Sequence, residues 1–161
     1  MTTVPAVDLA DDSFVVAAPS VVAARLRDRE FWKRCWPGLT LTSYHDRGAE
    51  GERWYVGGEL VGTAELWLEP YHDGTLVHVY LRADPLRPMS ARRVNRLRRR
   101  YAIALKAALF EVKDLLEQGR TPGASRTVRP SPSKTVDETS LASTEGSEDE
   151  PDEQPEPDAA T

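Results

Sequence analysis

Three histidines, one cysteine and a cluster of arginines carry the chemistry this chain could offer. A metal centre or an acid–base pair needs such groups within reach of one another. His45, His72 and His78 fall at a strand end, in a turn and on the mixed face of a strand, so they do not gather, and neither a metal nor another cofactor is expected. His72 and Asp73 lie in the run from Pro70 to Gly74, where Asp73 and Gly74 have an ordinary turn-forming role. Cys35 stands between Arg34 and Trp36 at the end of a short helix. A neighbouring cation lowers a thiol pKa and a helix C-terminus raises it, so the local fields oppose each other and inert packing is the expected role. The sequence holds no Gly-x-Ser-x-Gly elbow, phosphate loop or dinucleotide fingerprint.

The arginines are Arg92, Arg93, Arg96, Arg98, Arg99 and Arg100. They crowd the start of a helix predicted from about Ser90 to Gln118, with Gly119 as its terminator. The apolar residues Val94, Leu97, Tyr101, Leu105, Ala108, Val112 and Leu115 form one stripe along it, and Arg92, Arg96 and Arg99 project opposite that stripe. Positive charge in the first turns opposes the helix dipole by about 0.3–1 kcal/mol per residue at low salt, so folding alone does not explain the cluster. It could be a solvated face, meet an anionic membrane surface, or be screened by an acidic segment of the same chain. Nucleic acid is not the expected partner, because no aromatic stacking platform is interleaved with the arginines.

These groups need elements to hold them. Asp12 to Ala17 reads as a strand closed by Pro19. A short helix from about Ser20, its hydroxyl available as a cap, follows, and then a second from Glu30 to about Cys35 that must end before Pro37. Four more strands are predicted at Leu39 to His45, Glu52 to Val56, Leu60 to Glu69 and Thr75 to Ala83, an antiparallel meander. If Pro70 faces Thr75, the last hairpin places Leu68 opposite Val77, Leu66 opposite Val79 and Ala64 opposite Leu81 on one aliphatic face. Glu69, Trp67, Glu65 and Thr63 meet Leu76, His78, Tyr80 and Arg82 on the other. The aliphatic face and the helical stripe bury each other most simply by packing together.

The chain has 161 residues, with 26 acids against 21 bases and a net charge of -5. From Thr121 onward there are 10 acids and 3 bases, leaving 16 acids and 18 bases in residues 1–120. Residues 121–161 hold half the prolines and no aromatic residue, too little apolar surface to offset ordering entropy, so they read as a disordered acidic tail. The expected organisation is a flexible N-terminus at 1–11, one folded domain at 12–120 and this tail at 121–161. One cysteine rules out a disulfide framework, and no apolar run approaches the roughly 18 residues of a membrane span. With no basic residue before an apolar core in the first ten positions, a soluble cytoplasmic protein is expected.

The residues from 14 to 37, with Ala18-Pro19, Val22, Leu26, Asp28, Trp32 and Trp36-Pro37 at their spacings, resemble the opening of the START-like, or SRPBCC, superfamily. That superfamily includes proteins labelled polyketide cyclase/dehydrase and lipid transport. The step Leu68-Glu69-Pro70 followed by Asp73-Gly74-Thr75 resembles its late strands. The resemblance covers about residues 12 to 118 and implies an α+β helix-grip fold. In that fold an antiparallel sheet wraps a long C-terminal helix, two short helices follow the first strand, and an apolar cavity lies between sheet and helix. Members usually have six strands between the short helices and the last helix; four are found here, which implies a narrower sheet and a smaller or more open cavity.

The implied function is binding of a hydrophobic small molecule or lipid by Trp36, Trp54, Leu66, Val79, Leu81, Leu97, Tyr101 and Leu105, with Tyr101 and Trp54 supplying polar groups. The same residues could simply fill a core, leaving a protein-interaction module. The other sheet face, bearing Glu65, Trp67, His78 and Tyr80, is then expected to point away from the last helix, with Trp67 and Tyr80 as a surface for a homodimer or other partner. Were that face the concave one, Glu65 and His78 would be the acid and base of a cyclase or dehydratase.

Overall fold

The computed structural model describes residues 4–118 and 120. Gly119 and the acidic segment 121–161 lie outside the described residues. Five strands, β1 (Val7–Val15), β2 (Leu39–Asp46), β3 (Gly51–Gly58), β4 (Leu60–Tyr71) and β5 (Gly74–Pro85), form one antiparallel sheet in the order β1-β5-β4-β3-β2. Between β1 and β2 lie two short helices, α1 (Pro19–Leu26) and α2 (Arg29–Cys35), and a long helix α3 (Ala91–Glu117) ends the fold. This is the helix-grip arrangement.

The β4–β5 hairpin has the predicted register, Pro70 opposite Thr75, Leu68 opposite Val77, Leu66 opposite Val79 and Ala64 opposite Leu81. All six aliphatic partners are buried. Opposing them, Val94, Leu97, Tyr101, Leu105, Ala108 and Val112 of α3 are buried in the same core. Leu115 departs from the predicted stripe: it is 53% exposed, while Leu109 is buried and Leu116 partly buried. A helix turns 3.6 residues per cycle, so an inward face continued by steps of four and three from Leu105 reaches 109, 112 and 116.

The first strand starts at Val7, five residues before the predicted start, so residues 7–11 belong to the sheet and not to a flexible N-terminus. Its acids hid it. Val7 and Leu9 point inward and are buried, whereas Asp8 pairs outward with Arg82 (3.6 Å). Asp11 is answered by Lys106 of α3, whose ammonium lies 2.9 Å from its carboxylate and 3.0 Å from Ser13 Oγ. Farther along, Lys113 donates to the Phe14 carbonyl (2.8 Å) and Glu117 accepts from the Val16 amide (2.9 Å). Burial pushes the Glu117 carboxyl up, but the hydrogen bonds from Lys113 and Val16 and the charges of Lys113 and Arg120 outweigh it and hold the group below its ordinary value.

Ser20 does not cap α1. The helix begins one residue earlier at Pro19, whose fixed φ and missing N–H suit the first turn, and Ala18 at the N-cap makes no side-chain bond. Asp28 caps α2 by accepting from the Glu30 amide (3.0 Å), and Ser90 caps α3 by accepting from the Arg93 amide (3.4 Å). Gln118, in the left-handed conformation, closes α3.

Candidate functional site

A groove of about 390 Å³ opens between the α1–α2 junction and the β2–β3 edge of the sheet. Its apolar lining is Trp32 of α2, Leu39 and Leu41 of β2 and Trp54 of β3. Each is placed by a local rule. Strand alternation sends Trp54 and Val56 inward and Tyr55 outward. The β2–β3 register shifts between Ser43 and His45, so this edge carries a bulge beside the groove-lining Ser43. Trp32 is fixed by its indole N–H, which donates to the Leu26 carbonyl at 2.7 Å, and by tilted or edge contacts with Phe31, Trp36 and Trp54 at 5.0, 5.2 and 4.9 Å between centroids.

The rim is charged. Arg27 binds Asp46 (3.1 Å) and Lys33 binds Glu30 (2.6 Å). The side chains of Arg29 and Glu52, both lining the groove, have no hydrogen-bond or ion-pair partner among the described residues. The Trp54 indole N–H likewise has no acceptor there. The groove therefore offers a wall of two mutually tilted indoles, one indole donor and two uncommitted charges of opposite sign.

Of the residues predicted to hold a ligand, Trp54 alone is on this groove's lining. Leu66, Val79, Leu81, Leu97 and Leu105 meet between sheet and α3, where each is at most 7% exposed. Trp36 is also buried, and its indole nitrogen has no hydrogen-bond partner. Tyr101 finds its partner within the protein: its hydroxyl donates to the Glu59 carboxylate, which Arg100 approaches at 3.5 Å. Burial and then the Glu59 carboxylate push its ionisation well above the ordinary phenol range. Gly38 makes room for this pair, since a Cβ there would overlap the Glu59 carboxylate. Cys35 is fully buried, and burial pushes its thiol up to about 12, which leaves it inert.

The other predicted candidates lie on the sheet face turned away from α3. Glu65 is gripped by Arg47 (2.9 Å) and Arg53 (3.0 Å). His78 stacks on Trp67 (4.6 Å between centroids) and bonds Asp12 through Nδ1 (2.6 Å), while Nε2 lies 3.4 Å from Glu69 without hydrogen-bond alignment. Glu65 and His78 are thus committed to different partners. Tyr80, beneath the Arg82 guanidinium at 5.9 Å, and the stacked pair Tyr44 and Tyr55 share that face. Arg92, Arg96 and Arg99 are exposed on α3, without ion pairs among the described residues. No group of three or more His, Cys, Asp or Glu among the described residues could hold a metal ion, and no helix among them is long and apolar enough to cross a membrane.

Sequence reasoning missed Trp32, Leu39, Leu41, Arg29 and Glu52 as lining residues. They come from three separate segments, α2, β2 and β3, and the available signal was the pair Trp32 and Trp54, two large aromatics with polar handles in elements flanking β2.

No protein-family model matches the chain, and no curated protein matches it. Solved structures do. The crystal structure of DR_A0006 from Deinococcus radiodurans aligns with a TM-score of 0.51 at 15% identity, covering 70% of this chain and 99% of that one. The di-domain ARO/CYC protein StfQ of the steffimycin biosynthetic pathway gives 0.51 at 14% identity, over 70% of this chain and 51% of its own. The Aha1 dimer from Colwellia psychrerythraea gives 0.50 at 13% identity, over 71% and 99%. With its five-stranded sheet, paired short helices and long last helix, the chain has the START-like fold.

Proposed function

We propose that the chain binds an apolar small molecule or lipid, and that the ligand sits in the groove between α1–α2 and the β2–β3 edge. The observation that carries this reading is the lining: an opening of about 390 Å³ walled by Trp32, Trp54, Leu39 and Leu41. Sites for small ligands run from roughly 300 to 1,000 Å³ and pair apolar walls with a few polar groups. An apolar ligand lies against the edges of the lining side chains and displaces water from the groove, while a polar end meets Arg29, Glu52 or the Trp54 N–H. The packed sheet–α3 interface acts as the rigid backing that holds Trp54 in place. Catalysis has no part in this reading, since Glu65 and His78 lie on the opposite face with their own partners.

Ser43 is exposed and opposite Trp54, so Ser43→Trp fills the groove without disturbing the core. The wild-type chain is expected to bind anilinonaphthalene sulfonate with energy transfer from tryptophan and to carry a co-purified apolar ligand in native mass spectrometry. Ser43→Trp is expected to lose both. Equal dye binding by the two proteins, with no bound ligand in either, overturns the proposal.

The same native mass spectra read a second proposal, dimerisation through the outer sheet face. It is favoured by aromatic side chains that stack there while open to solvent, Tyr55 at 58%, Tyr44 at 45% and Trp67 at 38%. A dimeric wild type that becomes monomeric as Trp67→Ala/Tyr80→Ala supports it; a monomeric wild type rejects it.

A further inference from the structure

We infer that the solvent face of α3 is a docking surface for an anionic lipid bilayer, independent of what the groove binds. The residues recur along one line of the helix. Arg92, Arg96, Arg99, Ile103 and Phe110 follow one another at steps of four, three, four and seven, which at 3.6 residues per turn keeps them on a single face opposite the buried stripe. The line is roughly 27 Å long at about 1.5 Å per residue.

Three observations point to the same partner. First, the side chains of Arg92, Arg96 and Arg99 are exposed and have no ion pair or hydrogen bond among the described residues, and no acid occupies the first turn of α3 to offset them. Cations placed against the helix dipole work against the helix, so their use lies outside the fold. Second, Ile103 is 60% and Phe110 53% exposed on the same line, just beyond the arginines. Aliphatic and aromatic side chains add nothing to phosphate contacts along a nucleic acid backbone, but they enter the boundary between headgroups and acyl chains. Third, Lys106 lies 5.8 Å from the Phe110 ring and is itself held by Asp11 and Ser13, so the apolar section is bordered by an anchored cation. Basic residues beside exposed apolar ones on one helical face match an anionic bilayer, where charge draws the helix in and the apolar pair holds it.

The test uses the full chain and co-sedimentation with vesicles of phosphatidylcholine alone or mixed with phosphatidylserine. Binding is expected only to the mixed vesicles and should weaken as salt rises. Removing one juxtamembrane cation weakens binding about fivefold, so Arg92→Gln/Arg96→Gln/Arg99→Gln is expected to lose about a hundredfold. Ile103→Ser/Phe110→Ser alters only exposed positions and is expected to weaken vesicle binding as well, with an unchanged thermal transition. No binding of the wild type to phosphatidylserine vesicles overturns the inference. So does vesicle binding that the Ile103→Ser/Phe110→Ser variant retains in full, or tighter binding to duplex DNA than to vesicles, since either would make the face a general polyanion surface.

Discussion

The space under α3 and the space beside α2 are both walled by large apolar side chains, yet only the second is open. Under α3, Leu66, Val79, Leu81, Leu97 and Leu105 are between 0% and 7% exposed, and Tyr101 has its hydroxyl bonded to Glu59. Beside α2, Trp32 and Trp54 are nearly as buried, but they border a groove and two charges stand uncommitted at its rim. The difference lies in what faces each sheet segment. The centre of the sheet, β4 and β5, is covered by the regular stripe of a 27-residue helix, which supplies a side chain every three or four positions. The β2–β3 edge faces two helices of eight and seven residues joined at Arg27 and Asp28, too short to cover it. Among the described residues, the apolar-walled opening therefore lies at the edge of the grip and not at its centre.

Paired truncations put that contrast at risk. Leu81→Ala in the packed region should destabilise the fold by about 3 kcal/mol, through lost burial and the cavity left behind. Leu41→Ala on the groove wall should cost about 1 kcal/mol, because Leu41 is only partly buried. Chemical denaturation measures both, and equal losses would mean that the groove is as tightly packed as the core. Next in size is Tyr101→Phe, which removes the donor to Glu59 and should cost about 1–2 kcal/mol at neutral pH. The fold raises the phenol's pKa above its ordinary 10.0, so the protonated hydroxyl's contribution is complete below that pH and is lost as pH rises through the folded value. Wild type and Tyr101→Phe should accordingly converge in stability in strong alkali, and a constant gap would show that the bond to Glu59 is not what the tyrosine supplies. The smallest effect belongs to Glu117→Gln at the far end of α3, about 0.5 kcal/mol at neutral pH. Because the carboxyl is held below its ordinary 4.5, its contribution is present above that pH and fades as pH falls through the folded value. Urea midpoints of the two proteins should differ at pH 7 and coincide in acid.

Much of the packed region was legible in the sequence, for a reason visible in its residues. A strand flips every side chain with a one-residue slip, so the unbroken aliphatic set Ala64, Leu66, Leu68, Val77, Val79 and Leu81 admits one register, and that is the register found. The α3 stripe was equally plain up to Val112. β1 was half hidden, because an acid on an inward position, Asp11, breaks the alternation, and its partner Lys106 stands 95 residues away. The groove was the least legible. Its residues follow no shared period, and what makes it a groove is how little of β2 and β3 two short helices cover, a property of placement and not of any one segment. Trp54 reads from the sequence as a polar handle in an apolar region, which it is, but it walls the groove and not a space under α3.

The position of β1 in the sheet also orders events in time. Residues 7–15 are the first of the fold to be synthesised, yet among the described residues their one strand partner is β5 at residues 74–85, and their side-chain ties run to β5 and α3. The meander from β2 to β5 closes through neighbours in sequence and can assemble early. β1 must wait for all of it, carrying Val7, Leu9 and Val15 unburied while some sixty residues are added. Closing that long loop is the slow, entropically expensive step of such a topology, and Asp8, Asp11 and Asp12 keep the waiting segment charged until its place beside β5 exists.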